Sequence, residues 1–155
     1  MKAILNLTQH KATADQIDAG VVELPAELKA RVTGLLTFDT IPTPYDMEAS
    51  ASSIVKIAYD YFRELADTRP LSDAEKHAYD LDRYAPGLAS FNNVSMASVM
   101  IGGAPFFMSY LETALKSANI RPLYAFTARD SVDAEQADGS VKKVAVFKHI
   151  GFVPA

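Results

Sequence analysis

A chain of 155 residues with 49% hydrophobic and 22% charged residues has the size and composition of one globular domain, which excludes a disordered, collagen-like or coiled-coil polypeptide. With no cysteine, disulfides, a thiol nucleophile and cysteine-held zinc are excluded too. A net charge of −4 argues against general nucleic-acid binding, which needs a basic face.

Residues 3–7, Ala-Ile-Leu-Asn-Leu, are short and apolar and read as a buried strand. Thr13-Ala14-Asp15-Gln16 has the spacing of a capping box, and Gly20 supplies the left-handed residue that ends the short helix it starts. Residues 21–24 suit a short strand, and Pro25 suits the first turn of a helix running to about Leu36. A third helix is capped by Thr43 and opened by Pro44, with Ile54, Ile57, Ala58, Tyr61, Phe62 and Leu65 at helical spacing. Ser72-Asp73-Ala74-Glu75 begins a fourth, polar helix that stops before Pro86-Gly87. These two helices hold the acidic surplus and read as an insertion or lid at about residues 40–90.

The second half alternates differently. Residues 97–101 read as a strand, Gly102-Gly103 as a tight turn, 105–118 as a helix closed by Asn119, and 123–126 as the next strand. That spacing fits a right-handed parallel crossover. Asp138-Gly139 is a hairpin signal, with 141–147 returning antiparallel. The whole is expected to be a single α/β domain over residues 1–155. Its expected form is a three-layer Rossmann-like sandwich, with a mostly parallel sheet, a C-terminal β-hairpin and an inserted helical segment.

In such sheets ligands bind beyond the carboxyl ends of the strands. Three polar segments are expected there. The first is Asn6, Thr8, Gln9 and His10, whose imidazole suits general acid/base work or donation to phosphate; the plainer reading is a polar loop capping the next helix. The second is Gly102-Gly103, where bare backbone amides at a helix start favour an anion, or where glycine merely makes the turn. The third is 127–131, with Arg129 as a planar anion fork and Ser131 beside it. Arg129 is equally placed to pair with Asp130, Asp133 or Glu135. His149 is expected at the opposite end of the sheet from 127–131, and Lys142 and Lys143 closer to it. Three scattered histidines lack metal-ligand spacing, so neither a metal nor another cofactor is expected. The aromatic run Phe106, Phe107, Met108, Tyr110 reads as core packing.

The segments 5–13 (LNLTQHKAT), 101–106 (IGGAPF), 124–129 (YAFTAR) and 147–152 (FKHIGF) together resemble a group of small bacterial and phage proteins of no assigned activity. The element order is similar to that of the CRISPR-associated Rossmann fold (CARF) sensors and ring nucleases. That resemblance implies a homodimer binding a cyclic oligonucleotide, with Thr8, Gln9, His10, Gly102, Gly103 and Arg129 meeting the ligand.

The function expected from the residues and this resemblance is binding of a nucleotide or other small phosphate-bearing ligand. It extends to sensing a cyclic oligonucleotide or to metal-independent phosphodiester cleavage with His10 and Arg129 as catalytic groups. A hydrolase or transferase acting on a phosphorylated metabolite shares the same site. The alternative is a non-enzymatic phage or bacterial accessory protein acting through acidic helices at 44–84. No apolar run approaches the roughly 18 residues of a membrane span, and the start turns polar at Asn6, so a cytoplasmic protein without membrane contact is expected.

Overall fold

The apolar segment at the start becomes β1 (Ile4–Asn6), and the capping box starts α1 (Ala14–Asp18). Thr13 Oγ1 accepts from the Gln16 amide at 3.3 Å, while Gln16 Oε1 accepts from the Thr13 amide at 3.0 Å. Gly20, at φ 103°, turns the chain into β2 (Val21–Val22), a left-handed step that costs glycine nothing. α2 (Ala26–Leu36) follows Pro25, and α3 (Pro44–Thr68) follows a second reciprocal cap between Thr43 and Asp46. The computed structural model describes residues 3–68 and 97–155; the polar helix expected from Ser72 lies outside them. The second half supplies β3 (Ser98–Met100), α4 (Pro105–Ser117), β4 (Arg121–Glu135) and β5 (Val141–Pro154). α4 ends where Asn119 takes φ 59°.

These strands form one sheet in the order β2-β1-β3-β4-β5. The three pairings from β2 to β4 are parallel but only two or three residues long, whereas β4 and β5 pair antiparallel through thirteen positions. By paired length the sheet is therefore mixed rather than mostly parallel, because the C-terminal hairpin is much longer than its turn signal suggested.

One face of the sheet carries the core. Leu5 and Leu7 of the first segment and Val99 and Ile101 of the third alternate inward, as strand geometry requires. They meet Val32 and Leu36 of α2, Ile54 and Ala58 of α3, and Phe107, Leu111 and Leu115 of α4. Each fully buried large side chain contributes roughly 1.5–3 kcal/mol. α3 is thus a core helix, not a lid: its apolar stripe has the sheet-facing layer to pack on. Among the described residues the other face carries α1 alone, which touches both edge strands, β2 and β5, because the sheet curls around it. The described helices therefore lie mainly to one side.

Beyond Phe126 the last two strands leave the sheet. β3 pairs with β4 only as far as Leu123. A bulge at Phe126/Thr127 leaves Ile150 as the extra residue on β5, which sharpens the twist there. From Thr127↔His149 to Glu135↔Val141 the two strands run as a ribbon of nine pairs that no other described strand joins, about 30 Å long. Its turn matches the sequence signal: Gly139 has φ 82°, and Asp138 Oδ1 accepts from the Ser140 amide at 2.9 Å and its hydroxyl at 2.5 Å.

Candidate functional site

Asn6 organises the loop that leaves β1. Its side chain is fully buried, where an unpaired amide would be costly, and every polar atom is used. Nδ2 donates to the His10 carbonyl (2.8 Å) and to Glu23 Oε1 (2.9 Å), while Oδ1 accepts from the Thr8 amide (2.9 Å) and hydroxyl (2.7 Å). Glu23 Oε1 also accepts from the Ala12 amide, and Lys29 reaches the His10 carbonyl at 2.9 Å and Glu23 at 3.4 Å. Burial opposes ionisation of Glu23. The donated bonds of Ala12 and Asn6 and the Lys29 charge together outweigh it, holding the carboxyl below its ordinary range. The loop is thereby pinned at both ends, and the side chains of Gln9, His10 and Lys11 project outward, exposed.

The turn after β3 meets this loop. A methyl placed on Gly102 would lie 3.5 Å from Thr8 Cγ2, and one on Gly103 would lie 3.2 Å from Met108 Cε. The first is ordinary contact and the second asks the flexible end of Met108 to give slightly; the chain then enters α4, whose N-cap residue, Ala104, offers no side-chain cap. Between the two segments opens a hollow of about 380 Å³, lined by Thr8, Gln9, His10, Lys11, Gly102 and Gly103, with Thr13, Gln16, Met100, Ile101, Tyr124 and Ala125 completing it. It lies where β1's next strand in the chain, β2, is on one side and β3 on the other, the switch point at which open α/β sheets leave a crevice.

Among the described residues the lining holds one lysine and one histidine and no carboxylate, in a chain of net charge −4. The Tyr124 hydroxyl is already committed to Glu112 of α4 at 2.5 Å. Burial first, and then the bond and charge of Glu112, raise that phenol well above its ordinary range, so it does not titrate near neutrality.

Of the residues singled out from sequence, Thr8, Gln9, His10, Gly102 and Gly103 share this hollow. Asn6 lies beneath it as the loop's anchor. Arg129 and Ser131 do not reach it: what read as a loop at 127–131 continues as strand, so both stand exposed on the ribbon. Lys142 and Lys143 sit near the ribbon's tip, also away from the hollow. His149 lies directly across from Thr127, not at the opposite end of the sheet, because the hairpin is symmetric about residue 138. Its ring packs 4.7 Å from Phe152 at 57°, and both ring nitrogens are buried without a partner among the described residues. Sequence reasoning passed over Lys11, Gln16 and Tyr124. Lys11 adjoins His10 and was within reach of the same argument; the other two depend on how the sheet curls.

A family model matches residues 71–153, more than half of the chain. The chain belongs to the Uncharacterized protein MJ1673 family. No curated protein and no solved structure matches it. The part matched to the MJ1673 family includes Gly102, Gly103 and the whole ribbon up to Val153, whereas the loop 8–11 lies before it. Among the described residues no helix is long and apolar enough to cross a membrane.

Proposed function

We propose that the chain binds a nucleotide or another small phosphate-bearing ligand in the hollow between the loop at 8–11 and Gly102-Gly103. One observation carries this reading: a polar loop bearing Lys11 and His10 meets a glycine turn at the start of a 13-residue helix. Backbone amides at such a turn and the positive end of the helix favour an anion. Lys11 and His10 add donors at the rim, and no described lining residue is a carboxylate that would repel a phosphate.

We infer also that the body is Rossmann-like, with α1 on the face of the sheet opposite the other described helices. Binding and sensing, rather than cleavage, is the activity we favour. Phosphodiester cleavage was to rest on Arg129 for charge stabilisation, and that guanidinium stands on the ribbon.

Thermal melting with inorganic phosphate, pyrophosphate, mononucleotides and cyclic dinucleotides tests the proposal. A ligand at a hundred times its Kd stabilises by about 2.7 kcal/mol, which raises the midpoint of a domain of this size by about 5–10 °C. Lys11→Glu should abolish the shift, His10→Ala should reduce it and Arg129→Ala should leave it intact. A flat response to the whole panel, or a shift that survives Lys11→Glu, overturns the reading.

A further inference from the structure

The ribbon beyond Phe126 has no third strand and no helix over it among the described residues, and two-stranded ribbons standing alone are marginal in water. Its two faces differ. One alternates Thr127, Arg129, Ser131, Asp133 and Glu135 with Val141, Lys143, Ala145, Phe147 and His149. The other, continuous with Phe126, carries Ala128, Asp130, Val132 and Ala134, which lie opposite Lys148, Val146, Val144 and Lys142 in turn. Phe126 is 53% exposed, and Val132, Val144 and Val146 are each at least 40% exposed. A row of β-branched residues flanked by charge is the pattern of a strand face built to be covered.

The two strands also differ in sign. From 127 to 135, β4 bears Asp130, Asp133 and Glu135 against a single arginine; from 141 to 149, β5 bears three lysines and no carboxylate. Among the described residues, no ion pair forms within the ribbon, so these charges are free to meet others. On the face continuous with Phe126 this leaves Asp130 on β4 and Lys142 and Lys148 on β5, and the same pair turned over sets that carboxylate against the lysine-bearing strand.

We propose that the ribbon is a dimerisation arm whose Phe126–Val132–Val146 face packs on the same face of a second copy of this chain. A two-fold axis along the ribbon lays β4 of each copy on β5 of the other. Asp130 of each copy then faces β5 of the other, within reach of Lys148 of the partner subunit. Such a contact is isologous and closes at two copies. Stacking like strands would set carboxylates on carboxylates or lysines on lysines. Joining the free edge of β4 to the free edge of another β5 would satisfy charge but propagate without closing, and the β5 lysines guard against it.

Sedimentation velocity on the full chain tests this inference independently of ligand binding. The expected species is a discrete dimer. Asp130→Lys makes the apolar face wholly basic, and the double change Lys142→Glu, Lys148→Glu makes it wholly acidic, so each protein alone should dissociate at least about tenfold more readily. An equimolar mixture of the two should regain the dimer, which misfolded variants could not do. A monomer at 100 µM (an order-of-magnitude ceiling for functional self-association), variants as dimeric as the parent, a mixture that fails to recover, or polymers larger than two copies would each overturn the proposal.

Discussion

At the scale of single residues, the loop that shapes the hollow hangs on Asn6 and Glu23, and Glu23 makes its contribution dependent on pH. Its carboxyl is held below the ordinary value of 4.5, so the folded state favours the ionised form. The stabilisation is complete above that value and disappears as the pH falls through the lowered folded one. Glu23→Gln should therefore cost on the order of 1 kcal/mol at pH 7, a modest figure because a third of the side chain is exposed. The difference should shrink as the pH falls below 4.5, as urea titrations at pH 7 and pH 3 would reveal; a cost unchanged at pH 3 would refute the charge-based account. The polar crowding at 6–10 was visible in the sequence because polar residues at the end of an apolar strand stand out. The division of labour was not. That Asn6 turns inward while His10 and Lys11 turn outward depends on Glu23, which arrives from β2 seventeen residues later.

Among the elements, those governed by neighbours in sequence were the legible ones. Both caps, at Thr13 and Thr43, and the turn at Asp138-Gly139 follow from side chains three residues apart or from a left-handed glycine. Thr43→Ala removes the acceptor for the Asp46 amide at 3.1 Å and should lower stability by about 1 kcal/mol; an unchanged denaturation midpoint would show that the cap is dispensable. Elements governed by partners were harder. Residues 127–135 alternate too many polar side chains to announce a strand, and they become one only because β5 lies opposite. α3 looked separable because its charge drew attention, whereas its placement was decided by Met47, Ala51, Ile54, Ile57 and Ala58.

For the whole molecule, body and arm should separate experimentally. No residue beyond Tyr124 belongs to the core cluster or packs against it. Replacing 128–148 by an Asn-Gly turn should thus move the body's melting midpoint by no more than about 3 °C, equivalent to roughly 1 kcal/mol for a domain of this size, while leaving its phosphate response unchanged. Calorimetry showing a large loss would make the ribbon part of the body after all. The strand order has its own consequence for how the protein is born. β1 leaves the ribosome first yet belongs between β2 and β3, and Leu5 finds Val99 only after some ninety further residues have been polymerised. At roughly 5–20 residues per second, its greasy side chains wait several seconds for that neighbour. The hollow, built half from the loop at 8–11 and half from a much later turn, cannot exist on any nascent fragment that stops short of α4.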